Sequence, residues 1–230
     1  MSLEFRPVKP TDVPALVALK NLVWPEEAGS PAEITQAVLH PDHDTQVIVD
    51  HSGQGGVIGF VDSFFTYPSE GPRWEVDLLA VHPAYRGRRL AEQLVRTSTA
   101  AGQRRGARVA RGLIRLDNTA SQRTFARCSY QVQPETCALY VCSSPQKEPI
   151  ADDSPLPAGF LPVVTFGYQG LWLEGALTPA AFARANAALA SGCFDVAGAV
   201  IPRSQPEAMR AAQNSGFQFI ADYAWWELPL

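Results

Sequence analysis

Charge is scarce in this 230-residue chain: 18% of residues are Asp, Glu, Lys or Arg, against the ~25% usual for soluble domains. The formal net charge is −4, so no overall electrostatic pull draws the chain to a phosphate backbone or an anionic bilayer, and neither nucleic acid nor membrane is expected as a partner. No run approaches the roughly 20 consecutive apolar residues of a membrane span. The start, Met1-Ser2-Leu3-Glu4-Phe5-Arg6, lacks the apolar core of an export signal, and a soluble, cytoplasmic protein is expected. The four cysteines, Cys128, Cys137, Cys142 and Cys193, show no Cys-x-x-Cys spacing and no histidine at a ligand interval. No metal is therefore expected, and reduced structural thiols are. His40 and His43 fall in the turn composition Leu39-His40-Pro41-Asp42-His43-Asp44, which reads as a turn before it reads as a metal site.

What is present is apolar residues, 46% of the chain, patterned with clear punctuation. Leu3 to Val8 reads as a strand, and a helix capped by Thr11 runs until Pro25. Ser30-Pro31-Ala32-Glu33 is a capping box opening a second helix. Strands follow at Thr45 to Asp50, Gly56 to Tyr67 and Trp74 to Val81, then a helix from Leu90 to Gln103, a strand from Arg108 to Ile114, a helix from Thr119 to Arg127 and a strand from Tyr130 to Val141. Proline-rich residues 143–157 have little to bury and read as a linker. Beyond it, strands near Phe160 to Phe166 and Leu171 to Leu177 precede a helix, Pro179 to Ala190, and a strand, Asp195 to Ile201. A helix capped at Ser204-Gln205-Pro206-Glu207 and ended by Gly216 precedes the last strand, Phe217 to Trp226. Setting Asn118 against Gln205, an offset of 87 residues, aligns Val109 with Val196, Ala110 with Ala197, Ile114 with Ile201, Arg123 with Arg210 and Gln131 with Gln218, an internal repeat.

One loop carries chemistry. Pro83-Ala84-Tyr85-Arg86-Gly87-Arg88-Arg89 joins an apolar strand to a helix start, where unpaired amides, the helix dipole and three arginines favour an anion. A solvated basic turn is the plainer reading. With this context, the chain resembles the Gcn5-related N-acetyltransferases (GNAT family) over Leu3 to Val141, most strongly in Val81-His82-Pro83-Ala84-Tyr85-Arg86-Gly87-Arg88-Arg89-Leu90-Ala91. Arg86 and Ala91 fit the ends of the family pattern Q/R-x-x-G-x-G/A, while Arg89 stands at its first glycine, a place where backbone approaches a pyrophosphate closely. An arginine there implies a displaced loop or a guanidinium paired with a phosphate.

The resemblance implies an α/β (α+β) fold, a mixed central sheet flanked by helices. It also implies transfer of an acetyl group from acetyl-CoA to a primary amine of a small molecule or peptide, by direct attack on the thioester. A degenerate domain that binds acyl-CoA without turnover is the alternative. Leu79, Ala80, Val81, Arg86, Gly87, Arg88, Arg89, Leu90, Ala91, Asn118, Ser121 and Phe125 would contact the co-substrate, with backbone N–H at Ala80 or Val81 polarising the thioester carbonyl. Asn118 would reach the pantetheine arm, and it reads equally as a helix N-cap. Glu75, six residues before Val81, falls where relatives draw the amine proton through water, and Asp77, two residues on, shares its strand face as a second candidate. Both also read as ordinary polar sheet positions. Phe125 stands where many relatives carry a proton-donating tyrosine. A thiol of pKa about 8.5 leaves unprotonated at a cost of only about 2 kcal/mol near pH 7, so a slower reaction is expected, with Ser121 or water standing in. Glu26 and Glu27 would border the acceptor cleft as attractors of a cation, or as merely solvated acids.

These expectations divide the chain into residues 1–142 as an acetyltransferase domain, 143–157 as linker and 158–230 as a smaller, partial copy. The copy lacks the arginine-glycine loop and hence a second CoA site. Its aromatic surface, Phe160, Trp172, Phe217, Trp225 and Trp226, would pack on the first half or on a second subunit in a homodimer.

Overall fold

A computed structural model describes residues 3–27, 29–52, 56–143, 156–157 and 159–230. Strands are β1 (Leu3–Pro7), β2 (His43–Asp50), β3 (Gly56–Thr66), β4 (Arg73–Val81), β5 (Val109–Arg115), β6 (Gln131–Ser143), β7 (Phe160–Val164), β8 (Gln169–Leu173), β9 (Val196–Pro202) and β10 (Gln218–Pro229). Helices are α1 (Val13–Val23), α2 (Pro31–Leu39), α3 (Leu90–Arg104), α4 (Thr119–Arg127), α5 (Pro179–Ala190) and α6 (Pro206–Asn214).

Local chemistry explains most boundaries. Ser30 and Glu33 form the reciprocal capping box that starts α2, and Asn118 Oδ1 accepts from Ser121 N at 3.1 Å to start α4. Two caps differ from expectation. Asp12 replaces Thr11 at the start of α1, following a 3-10 turn over Pro10–Asp12, because the Asp12 carboxylate is held by Arg6 and by the Lys9 amide. Gln205, not Ser204, precedes α6 and makes no side-chain cap, since the Ser204 hydroxyl donates instead to Glu135.

The two stretches of chain flanking residues 143–157 feed one sheet, in the order β1-β2-β3-β4-β5-β10-β6-β9-β8-β7. Most of the expected linker lies outside the described residues. All neighbours are antiparallel except β4 with β5 and β8 with β9, which are joined by crossovers through α3 and α5. The last strand, β10, sits between β5 and β6, pairing Ala224 with Ile114 on one side and Tyr223 with Cys137 on the other. The offset of 87 carries the first residues of β5, α4 and β6 onto those of β9, α6 and β10.

Three cores hold the layers. One lies under α3 and α4 and includes Trp74, Leu94, Phe125 and Tyr130; Trp226 of β10 packs against it. A second lies under α5 and α6 and takes in Phe160, Phe182 and Phe217. The third joins α1 and α2 to the opposite face of β2 and β3, and Phe166, from the turn after β7, is buried in it at 5.7 Å from Phe60. The sheet therefore curls until its far edge meets its beginning: His43 Nε2 bonds Val164 O at 2.8 Å. The aromatics expected to seek a partner surface are thus divided between the two halves of a shared sheet.

Because β10 closes the edges of both β5 and β6, a fragment of residues 1–143 leaves two long edges open. Circular dichroism and size exclusion on that fragment should show an unfolded or aggregated chain; a monomer with a cooperative melt contradicts this.

Candidate functional site

Strands β4 and β5 pair only from Arg73–Glu75 to Val109–Arg111 and then part. Beyond that point Val76 to Val81 keeps β3 as its single strand partner, leaving backbone donors and acceptors turned into a cleft. Gly112 stands at the fork, where a Cβ would lie 2.6 Å from the Phe125 ring and 3.2 Å from Val76 O. Phe125 is consequently a buried residue, edge-on to Tyr130 at 4.8 Å, packed beneath the fork. Ser121 lies half-buried one helical turn before it.

The β3–β4 ladder slips at the same place. Ser63 faces Val76 and Asp62 faces Leu78, so Asp77 is the extra residue of a β-bulge, a device that re-aims a side chain. Strand alternation alone puts Glu75 and Asp77 on one face; the bulge breaks that alternation, and the two carboxyls meet different surroundings.

Glu75 is 2% exposed and fully engaged. Its Oε1 accepts from Thr66 Oγ1 at 2.5 Å and its Oε2 from Arg111 Nε at 2.8 Å, with Arg73 Nε at 3.4 Å. Arg73 also holds Glu174 through two bonds of 2.9 Å, Arg111 reaches the same Glu174, and the Arg111 guanidinium lies 3.7 Å from the Trp225 ring centroid. Burial works against the charges of Arg111 and Glu174, but the opposite charges outweigh it, raising Arg111 and lowering Glu174. Two arginines and two glutamates thereby tie β4, β5, β10 and the end of β8 together.

Asp77 opens into a cavity of about 580 Å³. Its side chain is water-accessible yet surrounded by protein. That enclosure, and then the neighbouring Asp62, push its carboxyl up to about 7, with His43 opposing. Lys20 and Glu27 share the cavity; Lys20 Nζ donates to the Glu27 carbonyl, and burial lowers the lysine's pKa against the pull of Glu27, Glu33 and Asp77. Of the two acids of the α1–α2 loop, Glu27 lines the cavity and Glu26 is not among its walls. Other walls come from β5, β6, β8, β9 and β10 and from Thr165, Gly167 and Tyr168 of the β7–β8 turn. Behind Asp77, His43 faces Asp62 Oδ1 at 3.2 Å and Val164 O at 2.8 Å on its two nitrogens, an arrangement that favours the imidazolium; its pKa is raised because these partners outweigh the burial that opposes its charge. By composition His43 belongs to a turn, and no local pattern marks its pairing with Asp62, 19 residues on in β3.

The arginine-glycine loop follows β4. His82 caps a 3-10 turn at Pro83–Tyr85, Arg86 Nε donates to Val81 O at 3.3 Å, and Gly87 takes φ +79°. Arg89 sits at φ +57°, ψ +25°, in the left-handed region, and provides no side-chain cap for α3. The family's glycine position therefore has a conformational reason as well as a spatial one: the backbone here takes the shape glycine adopts freely. Leu79, Ala80 and Val81 line up on the fork side of β3, with Leu90 buried and Ala91 half-buried in the first turn of α3. The corresponding helix of the second half, α5, has its N-terminus closed by Thr178, whose Oγ1 accepts from Ala181 N at 3.3 Å. Among the described residues no group of three or more His, Cys, Asp or Glu is placed to hold a metal ion, and no helix is long and apolar enough to cross a membrane.

Residues 14–130 match a family model described as the acetyltransferase (GNAT) family. No curated protein matches the chain. A GCN5-related N-acetyltransferase from Sphaerobacter thermophilus shares its fold at a TM-score of 0.65 and 14% identity, over 99% of this chain and 95% of that one. The GCN5-related glucosamine N-acetyltransferase region of a fungal multi-domain β-N-acetylglucosaminidase gives 0.66 at 10% identity, over 99% of this chain, which spans 38% of the fungal one. Arabidopsis thaliana NAA60 in complex with acetyl-CoA gives 0.52 at 21% identity over 58% of this chain and 87% of that one. At such identities the likeness is one of fold.

The two carboxyls should separate in stability. Glu75→Gln leaves buried guanidinium charge uncompensated and should cost about 3–5 kcal/mol. Asp77 has a folded-state pKa above its ordinary 3.8, so it withdraws stability as pH rises from about 4 to about 7. Asp77→Asn should therefore be more stable than the parent at pH 8 and equal to it at pH 4. Urea unfolding at the two pH values checks both; a stable Glu75→Gln contradicts the anchoring role.

Proposed function

The chain belongs to the GNAT acetyltransferase family, and on that premise we propose that it transfers the acetyl group of acetyl-CoA to a primary amine of a small molecule or peptide. The observation that carries this reading is a succession along β4 and into α3: a carboxyl with a pKa of about 7 at Asp77, a strand edge unpaired with β5 from Val76 to Val81, and a helix N-terminus without a side-chain cap. The donor fits the residues present. The backbone turn from Gly87 into α3, with Arg86, Arg88 and Arg89 close by, suits a pyrophosphate. The fork between β4 and β5 suits the narrow pantetheine arm, beside Asn118 and Ser121. When bound, acetyl-CoA supplies an acyl thioester.

The chain's own residues then have distinct tasks. Of the two candidate N–H groups, that of Ala80 faces β3, since His82 N two residues on donates to Ile58 O at 2.8 Å; the N–H of Val81 faces the free edge of β4, donates to the thioester carbonyl oxygen and takes up its developing charge. Asp77 accepts the proton of the attacking amine, directly or through water; with its pKa near the working pH it is ionised often enough to act and basic enough to hold the proton. Glu75, the other carboxylate expected in this role, is occupied by Thr66 and Arg111 and acts as an anchor. Phe125 has no proton to give, so the departing sulfur leaves as thiolate or is protonated by Ser121 or water. Binding of CoA with no thiol released for any amine would favour the alternative of an acyl-CoA-binding domain without turnover.

Thiol release from acetyl-CoA over a panel of amines tests this reading. At pH 7, kcat for Asp77→Asn should fall by about 10²–10⁴-fold, and parental kcat should climb with pH to a plateau above about 7; an unchanged rate or a flat profile excludes Asp77 as the base.

Arg89→Gly separates conformation from charge. It should raise stability by up to about 1 kcal/mol by relieving the left-handed backbone, and raise KM for acetyl-CoA severalfold by removing a phosphate partner. An unchanged KM places the arginine outside the donor site.

A further inference from the structure

Strand β9 alternates strictly. Ala197, Ala199 and Ile201 are fully buried beneath α5 and α6, while Val196, Gly198 and Val200 are half-buried on the other face. A sheet with one covered face ordinarily presents polar side chains on the other. Here that second row is apolar, continues into Leu139 and Val141 of β6, and lines the same cavity as Asp77. The row is left half-buried, and it shares its cavity with the proposed reacting centre.

The cavity's charged groups are unevenly placed. Glu174 is neutralised by Arg73 and Arg111, which leaves Asp77, Glu27 and Glu33 against the single cation of Lys20. The excess is acidic and lies on the α1–α2 side; the far wall is aliphatic and aromatic. The α1–α2 side is also where the second half presses on the first. Phe166 is fully buried, and a Cβ on Gly29 would lie only 3.1 Å from Phe166 O, so the β7–β8 turn is seated on the loop between α1 and α2.

Resting on the acetyl-transfer reading above, we infer that the acceptor is a small primary amine with an apolar body: its ammonium end is drawn to Asp77 and Glu27, its body lies on the apolar row of β6 and β9, and peptides are excluded. About 580 Å³ is in the range of pockets that enclose a single small molecule. A peptide acceptor would need an open trench for the chain beyond its first residue, and the seated β7–β8 turn closes that side. The second half of the chain thus has a specificity role: it supplies the apolar wall and the closing turn.

Gly198 offers a clean probe. A Cβ there meets only Trp172 Cδ1, at 3.9 Å, so Gly198→Leu and Gly198→Phe put new bulk into the cavity without a clash at the backbone. The experiment uses the full chain, acetyl-CoA, 2-phenylethylamine and the peptide amide Phe-Ala-Ala-Ala, with thiol release for turnover, calorimetry for amine binding and thermal melts to confirm folding. Turnover of 2-phenylethylamine should exceed that of the peptide by about 100-fold in kcat/KM. Gly198→Phe should weaken the amine by about tenfold or more in KM, Gly198→Leu by less, with KM for acetyl-CoA unchanged. Equal or better use of the peptide, or an indifferent Gly198→Phe, overturns the inference and leaves acetyl transfer standing. Binding of 2-phenylethylamine that is lost in Gly198→Phe, but with no thiol released, upholds the cavity's specificity and removes the transfer reading. Neither binding nor turnover of 2-phenylethylamine overturns the inference.

Discussion

The edges of β5 and β6 are both closed by β10, the last strand of the described chain, and the joined sheet and the cavity it encloses depend on that insertion. Buried backbone groups must find partners, and a strand between β5 and β6 satisfies two rows at once. Its consequence is that the two α/β halves cannot separate: β6 bonds β9 of the second half, β10 bonds β5 of the first, and the sheet grows to ten strands. A sheet of that width must twist, and here it curls until the β7–β8 turn reaches α1 and the loop after it. The cavity is the space enclosed by that curl.

The ion network at the fork follows from the same arrangement. Trp225 of β10 lies on Arg111, and Glu174, at the end of β8, reaches both Arg73 and Arg111. Charged groups taken out of water are tolerated when mutually paired and hydrogen-bonded, and Glu75 is one member of that set. Its neighbour two positions on escapes only because the ladder slips at Asp77. One inserted residue thereby separates two acids of the same strand into an anchor and a titrating group, each set by its surroundings.

Much of the fold was legible from short-range chemistry. The Ser30 capping box, Asn118 before α4 and the 87-residue offset are readable because caps and periodicities are properties of adjacent residues. The arginine-glycine connection between β4 and α3 was legible for the same reason, since Arg86, Gly87, Arg88 and Arg89 are contiguous. What escaped depends on partners distant in the chain. The position of β10 is a choice of sheet edges that lie more than 70 residues back along the chain, and no periodicity encodes it. The bulge at Asp77 exists only relative to β3, so alternation wrongly promised equivalent places for Glu75 and Asp77. His43 looked like a turn residue because its partners, Asp62 and Val164, lie 19 and 121 residues away. The apolar row of β9 was visible as Val196-Ala197-Gly198-Ala199-Val200-Ile201, but its unburied face was not.

The central claim, that one cleft runs from the arginine-glycine loop through the β4–β5 fork into a cavity walled by the second half, is tested most directly by a crystal structure with coenzyme A bound. The account predicts the pyrophosphate on the amides of Gly87 to Ala91 and the thiol emerging between Val76–Val81 and Gly112–Arg115, beside Asp77 at the cavity mouth. A thiol directed away from Asp77, or coenzyme A bound elsewhere with the fork empty, contradicts it.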